Sequence, residues 1–530
     1  MNKRRRWDAA DVGHEDGPAH AADVTLYGLK RALVEVLAFF PVYRSYVGPG
    51  VFSAQDHRQL TDAVERAKDA NAGLLLELNY IKRFLLLDFA DHMNEEEKSG
   101  WLDFVMRFQQ LTGPLMAKGF EDTTLYVYNR LLSLNDVGGE PDEFGIGLDE
   151  FHEFNHVRQA RWPHALNATA THDTKRGEDA RARINVLSEL PDEWEKHLRT
   201  WSRLNRPHKT KVRGAEAPDR NDEYSLYQTL IGSYPLDNTP KDAYLERLKA
   251  HLIKAVREAK VHTEWLKPDA AYEEAFVNFA EKILVPADHD RFMANFLPFV
   301  ERIAHCGVFN SLGQMLFKMT APGVPDIYQG TELWDLSFVD PDNRRSVDFE
   351  YRRQLLEQLR DAESKDPSAL TQKLLSNWQD GRIKLYLLEK LLNFRRAHQE
   401  LFVVGDYIPL AAAGESASAL CAFARRSDQA WVVAAAPRLI GAMVYRGKLP
   451  LGAEAWGETV LPLPAAAPGR WVDIITGNEV ETAGTAPANA LALSDVLKNF
   501  PVALLYRPEA APGLQIIDAR TDAATFEHGV

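Results

Sequence analysis

The chain has 530 residues, of which 45% are apolar and 26% are charged, and its formal net charge is −14. This length exceeds what one hydrophobic core usually serves, so the composition predicts a folded protein of roughly two to four domains. The negative charge disfavours nonspecific binding to nucleic acid or to an anionic membrane surface, and leaves neutral or cationic ligands open.

The cysteine content and the start of the chain bear on its compartment. Only Cys306 and Cys421 are present, so no disulfide framework is suggested. The basic opening MNKRRRW is followed by polar residues where a signal peptide would need an apolar run, and no segment approaches the length needed to cross a bilayer. We therefore expect a cytoplasmic protein.

The spacing of apolar residues in the first half of the chain changes once. Over residues 26–110, apolar positions recur at three and four, which predicts helices, with an interruption at Pro41. Over residues 114–171, short apolar runs such as PLMAKGFEDTTLYVY and ALNATATHDTKR alternate with polar clusters. That pattern indicates alternating strands and loops.

The second half begins with helices and ends with strands. Residues 178–300 are predicted to be helical, with one apolar stripe formed by Leu187, Leu190, Trp194, Leu198 and Trp201. The stretch FNSLGQMLFKMTAPGVPDIYQGTEL at 309–333 is typical of a helix, a tight apolar strand and a polar loop. After residue 401, short β-rich runs separated by Gly, Pro and Ala predict a terminal β-sandwich.

The adjacent His172 and Asp173 are the first candidates for chemistry. Strand-like NATAT precedes them, and a predicted helix start follows, so they fall in a loop at the carboxyl end of a strand. In a barrel of alternating strands and helices, active sites are built from such loops. The alternative interpretation is an ordinary solvated loop, because loops are polar by default.

Two further predicted strand ends carry polar groups of the same kind, namely Tyr328, Gln329 and Glu332 in one and Lys118, Glu121 and Asp122 in the other. Carboxylates, amides and aromatic rings suit a neutral polyhydroxylated ligand, whose vicinal hydroxyls need bidentate partners and whose C–H faces need flat rings. The sequence therefore favours a sugar ligand. Tyr328 filling core and Lys118 merely pairing with its neighbouring acids remain the structural alternatives.

Four segments resemble the maltooligosyl trehalose synthase family of the α-amylase superfamily (glycoside hydrolase family 13): ATHDTKRGEDARARI, AKGFEDTTLYVYNRLLSLNDVGGEP, KAVREAKVHTEWLKPDAAYE and GVPDIYQGTELWDLSFVDPDNRRSVDF. The resemblance implies a (1→4)-α-D-glucan 1-α-D-glucosylmutase, an isomerase of trehalose biosynthesis. It would move the reducing-end α-1,4 bond of a maltooligosaccharide to an α,α-1,1 bond by intramolecular transglycosylation. It implies no metal and no organic cofactor, and maltooligosyl trehalose trehalohydrolase as the pathway partner.

The resemblance also implies a fold that is α/β plus all-β: the C-terminal part of a (β/α)8 barrel with large helical insertions and a C-terminal β-sandwich. The expected divisions are a helical region inserted in or flanking the barrel (1–113), barrel strands and βα loops (114–177), a helical insertion (178–300), the last barrel strand and helices (301–400) and the β-sandwich (401–530).

Roles for individual residues follow from the resemblance. Asp173 matches the family's transition-state-stabilising carboxylate, and His172 matches its neighbouring sugar-binding histidine. The other predicted substrate-binding residues are Lys118, Glu121, Asp122, Lys175, Arg176 and Tyr328, with Lys118 restraining the released glucose. Glu178, Asp179, Arg181 and Arg183 are expected to be helix surface and pairing.

The catalytic carboxyl pair is not found. A retaining glycosyl transfer needs two carboxyl groups about 5 to 5.5 Å apart, which the family provides in a Gly-Phe-Arg-Ile-Asp-His segment and a Val-Glu-Lys-Ile-Leu segment. This sequence has no counterpart of the first, and NFAEKILVP, with Glu281, resembles the second only in the wrong order and in a helical stretch.

We therefore expect a complementary N-terminal polypeptide to provide the nucleophile and the acid/base. A split gene, a truncated gene model and a degenerate copy remain open, and activity of this chain alone is doubtful on sequence. The alternative functions are a catalytically silent glucan-binding subunit and an α-1,4-glucan hydrolase of the same superfamily.

Overall fold

The computed structural model describes residues 24–237, 239–285, 291–428, 430–444, 448–482 and 489–508. The chain divides into two compact units, Met1–Val127 and Tyr128–Val530. The first unit thus extends past the boundary predicted at residue 113. The interpretation of the opening MNKRRRW concerns residues 1–23, which lie outside the described residues.

The first unit is helical, as the periodicity of residues 26–110 predicts. Its helices are α1 (Leu26–Ala38), α2 (Ala54–Ala70), α3 (Leu75–Leu85), α4 (Glu95–Leu115) and α5 (Asp122–Val127), with a π-helical turn over Met116–Glu121. The first helix ends before Pro41, as expected. Leu60, Val64, Leu78 and Phe108 are among the buried residues of one apolar core.

The prediction of alternating strands and loops over residues 114–171 is wrong for most of that range. Residues 114–127 are helical, a further helix spans Leu148–Arg161, and within this range strand structure is confined to Leu166–Asn167. Helix α4 continues through Pro114, and the π-helical turn leads directly into α5. The charged residues follow helical rather than strand spacing, since Lys118 Nζ lies 2.6 Å from Asp122 Oδ2 across one turn. Short apolar runs do not by themselves distinguish a strand from a helical segment, which explains the error.

Residues 178–300 are largely helical, as predicted, whereas Leu148–Arg161 is a helix in a range that was predicted to contain strands and loops. The second unit contains most of the helices. They are α6 (Leu148–Arg161), α7 (Glu178–Asn185), α8 (Pro191–Asn205), α9 (Arg220–Ser233), α10 (Lys241–Ala259), α11 (Ala270–Leu284), α12 (Arg291–Thr320), α13 (Phe349–Lys365), α14 (Pro367–Ser376), α15 (Arg382–Ala397) and α16 (Gln399–Val403). Helix α12 runs across the boundary predicted at residue 300.

The predicted apolar stripe packs into a core. Leu187, Trp194 and Trp201 are buried within one cluster, and Leu190 and Leu198 pack against it. An additional antiparallel hairpin of β2 (Thr210–Val212) and β3 (Ala215–Ala217) lies within this region. The three-residue strands are too short to leave a clear alternation in the sequence.

A short parallel pair of strands lies close to two of the strand ends predicted from the sequence. Strand β1 (Leu166–Asn167) pairs with β4 (Val324–Pro325), with Leu166 opposite Val324. The stretch at 309–333 thus has the predicted order of helix, strand and loop. Strand β1 shares only Asn167 with the predicted NATAT strand, and residues 168–171 are not in a strand.

The last part of the chain is rich in strands but departs from a simple sandwich. One antiparallel sheet has the order β10-β9-β12-β7-β6-β5, and a separate pair is β11-β8. The strands are β5 (Asp406–Leu410), β6 (Leu420–Arg426), β7 (Ala430–Pro437), β8 (Val460–Pro462), β9 (Arg470–Asp473), β10 (Glu479–Glu481), β11 (Ala490–Ala492) and β12 (Ala503–Pro508).

The two faces of the six-stranded sheet pack against different elements. Phe423 and Val432 on one face share a core with residues of α12, α15 and neighbouring helices, whereas Trp431 and Val433 on the other share a core with Leu461 of β8 and Leu491 of β11. Two short helices, α17 (Gly452–Trp456) and α18 (Leu493–Val496), complete this side. The predicted second sheet is therefore only a two-stranded pair, because helices cover the opposite face.

Gly323 fixes the approach of β4 to β1. Its φ is +121°, and a Cβ there would lie 2.6 Å from Asn167 Oδ1 and 2.8 Å from the Ala165 carbonyl oxygen. We expect Gly323→Ala to lower the free energy of unfolding by about 2 kcal/mol or more, because both backbone strain and steric overlap oppose it. Urea unfolding would measure the change.

Gly477 provides the control for that substitution. It also has a positive φ, +75°, but a Cβ there would meet nothing within 4 Å. Gly477→Ala therefore reports the backbone strain alone, and an equal loss in both variants would show that the close approach to β1 contributes nothing.

Candidate active site

The β1–β4 pair brings two loops side by side. The Val324 amide donates to the Ala165 carbonyl at 2.9 Å, and the Asp326 amide donates to the Asn167 carbonyl at 3.1 Å. Because the strands are parallel, their carboxyl ends meet at one edge. The loop after β1 contains His172 and Asp173, and the loop after β4 contains Tyr328.

Further along, the same two loops are joined by backbone hydrogen bonds. Arg176 and Phe338 form an antiparallel bridge, and the Gly177 amide donates to the Ser337 carbonyl at 2.9 Å. The Asn343 side-chain amide donates to the His172 carbonyl at 2.9 Å. The backbone of His172 is therefore held by the partner loop rather than left to solvent.

The side chains of His172 and Asp173 are exposed. The Asp173 side chain is 53% accessible, and its Oδ1 lies 3.8 Å from the ammonium of Lys175, which is itself buried. The Lys175 amide donates to Asp136 Oδ1 at 3.3 Å. The partly fixed ammonium of Lys175 thus lies beside the accessible carboxylate of Asp173. That carboxylate can accept hydrogen bonds from the hydroxyl groups of a sugar.

Arg176 is buried, and its Nη1 lies 3.5 Å from the Leu132 carbonyl oxygen, to which it donates. Tyr328 is half-buried, and its carbonyl accepts hydrogen bonds from the hydroxyl and the amide of Thr331 at 2.7 and 3.1 Å. Glu332 accepts from Arg352 at 2.9 Å, whereas Gln329 is exposed. The roles of Arg176 and Tyr328 in substrate binding stay predictions.

A buried group of four charges lies beneath these loops, which we call the charge quartet: Glu178, Asp179, Lys318 and Lys384. The Lys384 ammonium lies 2.7 Å from Glu178 Oε1 and 2.6 Å from Asp179 Oδ2, and Lys318 Nζ lies 3.3 Å from Glu178 Oε2. All four are at most 5% exposed. The expectation that Glu178 and Asp179 are helix surface is therefore wrong, although they do form pairs.

The two carboxylates of the quartet respond differently to burial. Burial opposes ionisation of Glu178, but the ammonium groups of Lys384 and Lys318 outweigh it and lower the pKa of Glu178 to about 2. Burial raises the pKa of Asp179, and Lys384 only partly offsets that effect. The two lysines therefore favour the ionised form of Glu178, whereas burial opposes ionisation of Asp179.

The quartet connects the two loops. Asp179 Oδ2 accepts a hydrogen bond from the Asp335 amide at 2.6 Å, in the loop after β4. Lys318 donates at 2.7 Å to the hydroxyl of Thr169, in the loop after β1, and that hydroxyl also bonds to Glu178. The charges thus hold both loops to α7, α12 and α15.

Asn343, Lys318 and Lys384 were not predicted as site residues from the sequence. Asn343 lies in the segment SFVDPDNRRSVDF, which indicated only the family resemblance. Both lysines occur in helices where a charge is normally a surface residue. Since the partners of Lys384 are 206 and 205 positions away, local spacing gives no signal for them.

Lys118, Glu121 and Asp122 lie in the first unit. Lys118 is 74% accessible in its side chain and pairs with Asp122, which is buried. Glu121 is also buried and accepts a hydrogen bond from the Tyr43 hydroxyl. Their assignment to substrate binding remains a prediction. Glu281 lies on α11, with its carboxylate 3.4 Å from Lys249.

Among the described residues, Asp219, Asp222 and His262 have potential cation ligands within 4.8 Å of one another. Their present contacts are internal, since Asp219 Oδ2 lies 2.8 Å from His262 Nε2 and Asp222 Oδ2 accepts from Tyr272 at 2.5 Å. Each carboxylate therefore has a hydrogen-bonding partner within the protein.

Asp222 is expected to make stability depend on pH. Burial raises its pKa from 3.8 to about 6, although the Tyr272 hydroxyl opposes the shift. Between these two values the Asp222 carboxyl group keeps its proton in the folded protein and releases it in the unfolded chain. The resulting contribution to the free energy of unfolding is complete below pH 3.8 and is lost as pH rises through about 6. Asp222→Asn should flatten the unfolding free energy over that window. Denaturant titrations at several pH values measure it, and an unchanged slope would contradict it.

Comparison with known proteins identifies the relatives of this chain. No family model matches it. A putative maltooligosyl trehalose synthase of Mycobacterium tuberculosis is 37% identical over 406 residues, covering 76% of this chain and 46% of that protein. This chain is homologous to the maltooligosyl trehalose synthases.

Solved structures of maltooligosyl trehalose synthases agree. The enzyme from Arthrobacter ramosus superposes with a TM-score of 0.71 at 33% identity, covering 90% of this chain and 54% of that one. A hypothetical maltooligosyl trehalose synthase from Sulfolobus tokodaii gives a TM-score of 0.62 at 29% identity, covering 90% of this chain and 53% of that one. The chain spans about half the length of the curated relatives it matches.

The names of these homologues can be compared with the functions expected from the sequence. The relatives carry the name predicted from the four resembling segments, and neither the hydrolase nor the silent subunit is favoured by them. Within the part of the chain that the structure describes, no helix has both the length and the apolarity that a membrane crossing requires.

Proposed function

We propose that this chain forms part of a maltooligosyl trehalose synthase, and that it binds the maltooligosaccharide at the loops after β1 and β4. The pairing of Leu166 with Val324 supports this most directly, because it brings two separately predicted sugar-binding loops to one edge. On this proposal β1 and β4 are neighbouring strands of a (β/α)8 barrel. Their carboxyl ends form part of the active-site face.

The proposed reaction exchanges one glycosidic bond for another. The bond between the penultimate sugar's C1 and O4 of the reducing-end glucose breaks, and that C1 then bonds to O1 of the same glucose. Over the whole reaction O4 gains a proton and the O1 hydroxyl loses one. No water is consumed, so the product is an isomer with no reducing end. The product would be the substrate of maltooligosyl trehalose trehalohydrolase.

Asp173 and His172 are proposed to hold the sugar at the cleavage point. The positive charge that develops on the sugar ring in an oxocarbenium-like state is favoured by an ionised carboxylate nearby. Asp173 is accessible to a ligand, and its Oδ1 lies 3.8 Å from the ammonium of Lys175. Lys175 and Arg176 are proposed to continue the site toward the acceptor glucose.

The nucleophile and the acid/base are proposed to come from a complementary N-terminal polypeptide. The test is incubation with maltopentaose, with and without a candidate N-terminal half, while reducing ends and trehalose-type product are both measured. Loss of reducing ends only in the mixture is expected. Reducing ends that increase would show hydrolysis, turnover by the 530-residue chain alone would show that the carboxyl pair is present, and saccharide binding without turnover in the mixture would favour a silent subunit.

Lys118 is proposed to restrain the released glucose so that it is recaptured before water attacks. Lys118→Ala should raise the ratio of hydrolysis to isomerisation in the reconstituted enzyme by about tenfold, if one charge-assisted hydrogen bond is lost. Product chromatography measures the ratio. Lys98→Ala is the control, since Lys98 forms a similar pair across one turn, with Glu95 at 2.9 Å. Equal ratios in the two variants would remove Lys118 from the site.

A further inference from the structure

A cavity of about 220 Å³ opens between α8 and α12. Glu193 and His197 of α8 form one wall. The residues of α12 that form the other are Ala294, Asn295, Pro298, Phe299 and Arg302. Its centre near Pro298 is 22 positions before the end of α12 at Thr320, which is about 33 Å along a helix. The cavity is therefore separate from the loops after β1 and β4.

Asn295 supplies a hydrogen-bond donor to this cavity. The Trp201 indole nitrogen, which can only donate, lies 2.7 Å from one side-chain atom of Asn295, so that atom must be the oxygen. His197 Nδ1 lies 3.0 Å from the same oxygen and must also donate. In the neutral ring, His197 Nε2 is then an acceptor, and the amide nitrogen of Asn295 is a donor on a side chain that lines the cavity.

The other polar groups that line the cavity include hydrogen-bond donors and acceptors, and their formal charges cancel. Arg302 Nη1 lies 2.5 Å from Glu193 Oε2, so the cation and the anion compensate each other at the wall. Pro298 has no amide hydrogen to donate to the Ala294 carbonyl, so that carbonyl lacks its usual helical partner. Both Ala294 and Pro298 line the cavity.

These features fit one class of ligand. Paired charges disfavour an anion or a cation, whereas donors beside acceptors suit hydroxyl groups, which need both. The Pro298 ring and the His197 ring, which stacks on Phe299 at 4.2 Å, offer apolar surface. The volume is below the 300 to 1,000 Å³ or so of pockets for drug-sized ligands. We propose that this cavity binds a single pyranose unit of a neutral carbohydrate.

Binding at this cavity does not depend on the proposed catalytic activity. The experiment therefore measures saccharide binding in a chain whose loops after β1 and β4 have been altered. Maltose is titrated calorimetrically into the chain carrying His172→Ala and Asp173→Asn, so that the loops contribute little. Binding is expected to persist in this background. Glu193→Gln should weaken it about tenfold by removing a charged hydrogen-bond acceptor, and Ala294→Trp, at an exposed position, should abolish it by filling the cavity.

Glu195→Gln is the matched control, because Glu195 is on the same helix, is exposed and pairs with Arg199 at 2.6 Å; it should leave maltose binding unchanged. Circular dichroism confirms that each variant is folded. Crystals soaked in maltose should show a sugar ring beside Pro298. An absence of binding by the folded chain would overturn the proposal, as would binding that neither Glu193→Gln nor Ala294→Trp alters.

Discussion

Lys384→Met is expected to destabilise the second unit by about 3 to 5 kcal/mol. The substitution removes the ammonium that contacts both carboxylates of the charge quartet, and Lys384 is only 1% exposed, so water cannot replace it. Two acidic side chains would then share Lys318 as the remaining cation of the quartet. The urea midpoint of tryptophan fluorescence measures the loss.

Lys390→Met is the matched control on the same helix. Lys390 pairs with Glu363, but both side chains are 26% accessible, so we expect a loss below about 1 kcal/mol. Should Lys384→Met be too unstable to isolate, adding Asp179→Asn should restore part of the stability, because the neutral amide can still accept from the Asp335 amide. Equal effects at positions 384 and 390 would contradict the role assigned to the quartet.

Asp173→Asn is expected to lower kcat of the reconstituted synthase by about 100-fold or more, while KM changes little. The amide keeps the shape of the side chain but removes the negative charge that stabilises the developing positive charge on the sugar. Since the Asp173 side chain is 53% accessible, stability should change by no more than about 0.5 kcal/mol. Steady-state kinetics on maltopentaose, together with thermal unfolding, separate the two effects.

Asp361→Asn provides the comparison for that experiment. Asp361 is also exposed and pairs with a lysine, Lys365, at 2.6 Å, so removing its charge reproduces the loss of one surface pair. Its kcat should equal that of the unchanged protein. A kcat for Asp173→Asn within twofold of this control would exclude a direct role for the carboxylate at the sugar.

Sequence patterns predicted the parts of this fold that depend on local periodicity. The stripe through Trp194 and Trp201 packs into a core, and the helix, strand and loop at 309–333 are in the predicted order. The strands and loops predicted over residues 114–171 are wrong where α5 and α6 form, because short apolar runs contain too little alternation to distinguish a strand from a helix.

The candidate site was predicted only where its residues are neighbours in sequence. His172 and Asp173 fall in a loop after a strand, as expected from the apolar stretch before them and the acidic helix start after them. Lys318, Lys384 and Asn343 were missed, since each contacts this loop from a distant part of the chain. The cover of the six-stranded sheet by helices was likewise set by tertiary packing.

The long separations within the charge quartet have a consequence for how the protein folds. Lys318 meets Thr169 across 149 positions, and Lys384 meets Glu178 across 206. Contacts of this kind form only after a large segment of chain has been closed, which slows their appearance relative to local helices. During refolding, helical circular dichroism should therefore recover well before affinity for saccharide at the two loops.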